Sequence, residues 1–553
     1  MRALGFEVAA PLTAAVADPA AVACAAAATA AAAKPPAVPP AKPSAVPPAV
    51  ASAAVSGVAS AVPGSAAVPK IPAVASAVAG QNPVGASSAP AHPHPSTAAH
   101  PPVSAPAHPH PSAATGGLPA REYHARYGSR VPFVDLSAQR PSAKADPAAE
   151  LLALPFPARA RAGFRADAPA GVGDLLAMAY GVTRIDWRGN GIRPGRPLPS
   201  GGGAYPGELY LGAGFGLCHY LPTAHALERL DAADPRGALV DCLEARPEQP
   251  PALVLVFTSR HEANLAAFGG FGHRLQALDS GVLAGQALAL VEAAGSTARV
   301  HSRFDAPRLG ALLGLDPAAE SVRAVVTAGP AARESGAVPA FSTDPGAVRA
   351  GLPRRIMARH TAREGFEPIS VPLQRVMEIL DAAAAPIPGD AGSVPGGAEP
   401  CAALELYCLA HRVDGLEPAS HRRNPSTGEL VRVNGLSGAP TALFPAGGEG
   451  ELAQFQAACA LLVAGDYESG YRAHGDRWYR MLNLYAGIAA QRLGLAATAA
   501  GLGSSLRCDY QIKSADRLIQ ATSGRTVLLV ALLGVERGAA APGHRLLLGG
   551  YGS

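Results

Sequence analysis

The sequence predicts an α+β chain built from two tandem copies of one unit, preceded by a disordered tail. Three observations predict this. An Ala/Pro/Val/Ser-rich stretch from Met1 to about Gly117 gives way abruptly to a mixed composition. Helix-like and strand-like segments then follow in an order that repeats once. Short matches accompany the repeat: Glu208-Leu-Tyr-Leu211 parallels Glu405-Leu-Tyr-Cys408, and Leu217–Leu230 parallels Leu416–Leu430. Parallel landmarks in the same order mark an internal duplication of a unit of roughly 200 residues. The expected divisions are a tail over 1–118, a first domain over 119–330, a linker over 331–351 and a second domain over 352–553.

The tail has Phe6 as its sole aromatic and Glu7 and Asp18 as its sole acids, and it repeats Ala-His-Pro-His-Pro units. Such a segment cannot bury enough apolar surface to offset the entropy of ordering, so a disordered, partly polyproline-like state is expected. Charged residues are only 16% of the chain and net charge is +4, without basic clusters interleaved with aromatics. Neither nucleic acid nor a membrane is therefore an expected partner. No run of 18 or more strongly apolar residues is present. Seven cysteines (Cys24, Cys218, Cys242, Cys401, Cys408, Cys459 and Cys508) form no C-x-x-C pair. An odd count without a framework reads as reduced thiols in a cytoplasmic protein, not a disulfide scaffold or zinc site. Outside the tail no His/Asp/Glu cluster has ligand spacing, so no metal is expected.

Order should begin near Leu118, where Arg121–Tyr127 introduces charges and aromatics together. Apolar residues at helical spacing predict a helix over Gly171–Ala179 and a long, nearly all-apolar one over Leu275–Ala294. Leu209–Leu211, Leu253–Phe257 and Ala324–Ala328 read as strands. After Pro330–Gly351, rich in turn residues, the series returns. Val371–Ala384 reads as a helix, Leu404–Leu409 as a strand, Ala457–Ala464 as a buried segment, Tyr479–Ala499 as a long helix and Val527–Leu533 as a closing strand.

The stretch Pro199-Ser-Gly-Gly-Gly-Ala-Tyr-Pro206 is a small-residue loop before a strand-like run. Its glycines let backbone N–H groups approach a ligand closely, and Ser200 adds a hydroxyl. Together with Gly207-Glu-Leu-Tyr210 and Gly216-Leu-Cys-His-Tyr220 it resembles the SagB-type (McbC-like) branch of the flavin-dependent nitroreductase superfamily, in a tandem-domain version. The resemblance covers roughly residues 120 to 553. It implies a mostly antiparallel sheet flanked by helices in each domain, FMN as cofactor, and oxidation of azolines to azoles in ribosomally made peptides. Family members are homodimers with FMN at the interface, so two fused copies imply an intrachain pseudo-dimer, compatible with a monomer.

The family's phosphate signature matches Arg359-His360-Thr361-Ala362-Arg363 in the second copy, with Phe366 slightly displaced. Arginine there offers a fork of donors to a phosphate. The first copy has Arg161-Ala-Gly-Phe-Arg165, without the hydroxyl. Gly501-Leu502-Gly503-Ser504 resembles the G-L-G-S loop that lines the flavin, and the first copy has only Ala294-Gly-Ser-Thr297. Pro199, Ser200, Gly201 and Gly202 supply the closing loop, whose second-copy counterpart, Val394–Pro400, lacks the serine. The intact pieces imply one competent site per chain, shared between copies, with its mirror image degenerate. Arg545 is a further phosphate candidate, balanced against a solvated tail arginine.

Azoline oxidases of the family carry a Lys-Tyr pair before G-D-R-x-Y-R. Gly475-Asp-Arg-Trp-Tyr-Arg480 matches the motif, but Ala473 and His474 stand where the pair would be. His474 is a candidate replacement base, because an imidazole titrates in the right range. A solvent-facing histidine at a helix start is the equal alternative. Tyr471 and Tyr479 are candidate proton donors or substrate-stacking groups, Tyr205 is a candidate to border the flavin, and Asp476 is expected to cap the following helix. The leading expectation is an azoline dehydrogenase acting on a precursor peptide, with a cyclodehydratase complex as companion. A second keeps the flavin but reads another peptide dehydrogenation or an NAD(P)H-dependent reduction. A third is a non-catalytic scaffold in a peptide-modifying complex.

Overall fold

A computed structural model describes residues 120–127, 150–153, 171–188, 191–330, 351–390, 399–434, 440–444, 453–538 and 545–547. The expected tail, nearly all of the expected linker, Arg161–Arg165 and most of Val394–Pro400 lie outside the described residues.

Two antiparallel sheets carry the fold. The first runs, edge to edge, Glu150–Ala153, Ala226–Asp231, Gly216–Leu221, Gly207–Ala213, Pro251–Arg260, Glu320–Pro330 and Ala298–His301. The second runs Leu430–Asn434, Ser420–Arg423, Leu404–Ala410, Cys459–Asp466, Arg525–Gly534 and Gly503–Arg507. Apart from the added edge strand Glu150–Ala153, the spatial order of corresponding strands is the same. A bulge interrupts the central pairing between Phe257 and Thr258 in one sheet and between Val463 and Ala464 in the other. The same residue separation relates Phe257 to Val463 and Gly281 to Gly487, so the duplication predicted from local matches extends to the irregularities of the backbone. The central strands Pro251–Arg260 and Arg525–Gly534 are buried almost throughout. That accounts for their continuous apolar runs, since a strand covered on both faces has no polar face to alternate with.

The two long helices, Gly272–Ala293 and Arg477–Ala499, are covered almost all round. They cross where Gly281 meets Gly487. A Cβ on Gly281 would lie 1.9 Å from the Leu484 carbonyl oxygen, and one on Gly487 would lie 2.2 Å from that of Leu278. Gln491 Nε2 donates to Gln286 Oε1 at 2.5 Å near this crossing. Each half also reaches into the other with a buried arginine. Arg274 donates to the Leu528 carbonyl at 2.6 Å, and Arg480 donates to the carbonyls of Arg323 at 2.6 Å and Ser302 at 2.7 Å. Around the crossing helices one apolar core runs continuously through both halves.

Helices also form over Val172–Tyr180 and Leu373–Ala384, close to the predicted positions, and over Ala120–Tyr127, where only the onset of order was expected. Asp476 departs from its expected role. It precedes helix Arg477–Ala499 with helical φ −63° and ψ −19°, and its side chain makes no cap bond. A capping carboxylate needs an extended backbone to fold back onto the first turn. Asp476 Oδ1 accepts instead from the Ala120 N–H at 3.1 Å, fastening the first described helix to the second half.

Candidate functional site

The glycine loop is held in shape from within its own half. Ser200 Oγ donates to Asp279 Oδ2 at 2.7 Å and accepts from the Tyr205 N–H at 2.9 Å, while the Gly201 N–H donates to Asp279 Oδ1 at 3.2 Å. Gly202 and Gly203 take φ of 60° and 73°, the left-handed region that glycine enters without a side-chain clash. Tyr205 follows at φ 47°, a strained value for a residue with a side chain, and its carbonyl accepts from the Tyr180 hydroxyl at 3.1 Å. From the other half, the buried Arg359 donates through Nε to the Pro197 carbonyl at 3.0 Å, two residues before the loop.

Pro199–Gly202 and Asp279 line a cleft of about 270 Å³ whose opposite side comes from the second half: Thr361, Leu506, Arg507, Cys508, Asp509 and Leu529. Thr361 reaches it because the backbone there lies alongside Ser504, with the Ala362 N–H donating to the Ser504 carbonyl at 2.9 Å. The rest of the wall is apolar: Phe268, Phe271, Leu275, Leu278 and Val282. The volume falls just below the roughly 300–1,000 Å³ of small-molecule pockets. The donor set fits a flavin. An apolar wall suits a flat ring system, and the hydroxyls and the amide-rich glycine loop suit its polar pyrimidine edge.

Two carboxylates share this cleft and differ in electrostatics. Asp509 is gripped by the Arg507 fork at 2.7 and 2.5 Å. Among the described residues no cation pairs with Asp279. Burial pushes its carboxyl up to about 6, against the pull of the Ser200 and Gly201 hydrogen bonds. Burial likewise pushes the Cys508 thiol up to about 12.

Of the residues singled out from sequence, Pro199, Ser200, Gly201, Gly202 and Thr361 meet at the cleft. Gly501, with φ 71°, Leu502, Gly503 and Ser504 lead into the strand whose far end, from Leu506 on, forms the wall. A Cβ on Gly503 would lie 2.9 Å from Glu536 Cβ, so close strand packing explains that glycine. His360 Nε2 lies 2.7 Å from Glu536 Oε2, and Arg363 is exposed with its carbonyl accepting from Gln454 at 2.9 Å. Arg545 lies opposite Asp186 in a separate three-stranded sheet. His474, Tyr479 and Tyr205 are not among the residues lining the cleft. The His474 ring stacks on Trp478 at 5.5 Å, and the buried Tyr479 stacks on Tyr467 at 4.8 Å. Sequence reasoning missed Asp279, Cys508 and Asp509. For Asp279 the available signal was a carboxylate in the middle of a nearly all-apolar helix, well before Glu292 in its last turn.

The pseudosymmetric position is filled by the chain itself. By the separation that relates Gly281 to Gly487, Tyr485 stands where Asp279 stands. Beside it, the fully buried Asp390 accepts from Ser302 N–H at 2.9 and 3.0 Å, Ser302 Oγ at 2.8 Å and Arg303 N–H at 2.9 Å. Gly389 runs alongside Val300, as Thr361 runs alongside Ser504 on the other side.

A sequence profile described as the nitroreductase family matches residues 356–535. Among solved structures, that of a candidate nitroreductase from Anabaena variabilis ATCC 29413 is similar at 18% identity, over 76% of this chain and 99% of that chain, with a TM-score of 0.61. A candidate nitroreductase from Ralstonia eutropha JMP134 matches at 22% identity over 37% of this chain and 95% of that chain, with a TM-score of 0.25. A chain of the E. coli microcin synthetase McbBCD complex with truncated pro-MccB17 matches at 19% identity over 38% of this chain and 90% of that chain, again with a TM-score of 0.25. No curated protein matches. Residues 356–535 therefore carry a nitroreductase-family domain, in a chain whose two halves repeat a nitroreductase-like fold.

Proposed function

We propose that this chain is an FMN-dependent dehydrogenase of the nitroreductase superfamily that oxidises thiazoline or oxazoline rings to azoles in a ribosomally made peptide. The observation that supports it most is the shared cleft: Pro199–Gly202 from one half faces Thr361 and Leu506–Asp509 from the other. That division is the one the resemblance to SagB-type enzymes implies. A bound flavin supplies two-electron chemistry there. Ser200, Gly201 and Gly202 would border its ring, Arg359, His360 and Thr361 would hold its phosphate, and Arg363 would reach the ring edge, with Gly501–Ser504 behind them and Arg545 as a further phosphate candidate. The apolar wall excludes water from the reacting face. The companions of this reading are a modified precursor peptide and a cyclodehydratase complex. No helix among the described residues is long and apolar enough to cross a membrane.

A second reading, another flavin-dependent peptide dehydrogenation or an NAD(P)H-dependent reduction, is favoured by one observation. His474 and Tyr479, in and just after the position of the Lys-Tyr pair, stack on neighbouring aromatics and do not line the cleft. The deciding experiment loads the purified chain with FMN and offers an azoline-containing peptide aerobically. In parallel it offers NADH with a nitroaromatic. Loss of two mass units from the peptide supports the first reading. NADH oxidation with no change in the peptide moves the function to the second.

A further inference from the structure

We propose that Asp279 is the proton-exchanging group of the cleft, receiving the substrate proton that must leave when the site removes two electrons. This rests on the flavin oxidoreductase reading above.

Asp279 lines the cleft from helix Gly272–Ala293, among Leu275, Leu278 and Val282. Its carboxylate is oriented by two donors on the glycine loop, Ser200 Oγ and Gly201 N–H. The ionisable groups around it do not neutralise it. Arg507 is turned onto Asp509, Cys508 is a buried thiol whose titration lies far above neutrality, and the Tyr180 phenol, across from the loop, is raised by burial. Arg274 lies behind Cys508 and donates to Tyr510 and Leu528. Asp279 thus keeps a carboxylate free to change protonation near neutral pH, as an acid–base group requires. An independent observation agrees. At the pseudosymmetric position, where Asp390 fills the space, the matching residue is Tyr485.

The step balances as follows. One ring C–H departs as hydride to a flavin-class acceptor. The neighbouring ring carbon gives up its proton, and the electron pair left behind becomes the new double bond. The carboxylate of Asp279 receives that proton, and water takes it onward. The carboxylate is thereby regenerated.

The test uses the full chain, wild type and Asp279→Asn, with and without FMN. Difference infrared spectroscopy across pH 4–8 should show one carboxyl titrating near pH 6 in the wild type and missing from the variant. With FMN bound, the midpoint potential should change its pH slope near the same pH in the wild type, and should not in the variant. In turnover the variant should lose roughly 10²-fold in rate, along with the limb near pH 6, while retaining its FMN. The proposal is overturned if no wild-type carboxyl titrates near pH 6, if the titration survives in Asp279→Asn, or if the variant keeps the rate and the pH limb. The infrared titration needs no flavin, and its wild-type arm needs no variant. A chain that binds no FMN yet shows the titration would overturn the flavin reading, and with it this role for Asp279, while leaving the electrostatics intact.

Discussion

At the residue scale, Ser200 and Asp279 decide what the glycine loop is. The sequence presents Ser200 as a hydroxyl offered to a ligand, whereas the structure commits it twice, to Asp279 and to the Tyr205 N–H. Ser200→Ala should therefore cost about 1–2 kcal/mol, because it leaves one half-buried N–H without its acceptor and a carboxylate short of a donor. Urea unfolding at pH 7 measures it. Asp279 carries a pH signature of its own. Its carboxyl sits above the ordinary range, so between about pH 4 and 6 the folded chain binds a proton that the unfolded chain has released. Stability from this group is greatest below that window and declines as pH rises through it. The difference in unfolding free energy between wild type and Asp279→Asn should shift by about 3 kcal/mol across the window, against the wild type as pH rises. A difference that is flat with pH would contradict the burial argument. None of this was legible in the sequence, since Asp279 lies 79 residues beyond Ser200 and no local pattern ties them.

At the element scale, local physics was legible and contacts across the duplication were not. The long helices and central strands announced themselves because near-complete burial writes an apolar run of the right length. The failed cap of Asp476 shows the limit: residue type suggested a cap, but the short helix Tyr471–His474 and Gly475, at φ 58°, deliver Asp476 in a helical conformation. The helix crossing makes a firmer prediction. No side chain fits at Gly281 or Gly487, because each Cβ would strike a backbone carbonyl of the partner helix, and backbone cannot swing aside. Gly281→Val should cost more than about 3 kcal/mol and lower the denaturant midpoint, with Gly487→Val matching it. Gly310, where an added Cβ meets nothing within 4 Å, is the control and should tolerate alanine with little change.

At the scale of the whole molecule, the two halves repeat one fold, yet the two related positions between them are built differently. One is a cleft lined by both halves, and at the other Asp390 occupies the backbone donors of Ser302 and Arg303, with Tyr485 against Gly389. The sequence has no serine in Val394–Pro400 and no hydroxyl residue in Arg161–Arg165, which implied that the two positions differ. It did not show the replacement, because Asp390 belongs to no motif and its partners lie 88 and 87 residues away. Asp390→Ala would strip four hydrogen bonds from a fully buried position and leave two backbone N–H groups unpaired, so a loss of roughly 3 kcal/mol is expected. Flavin content discriminates further. Released-flavin absorbance should give about one FMN per chain for the wild type. It should give no more for Asp390→Ala, since the mirror position would still present Tyr485 where the open cleft has Asp279. Two flavins per wild-type chain would mean that the Asp390 side still binds cofactor. A second flavin appearing only in the variant would mean that a single carboxylate, not the divergence of the whole position, keeps that side closed.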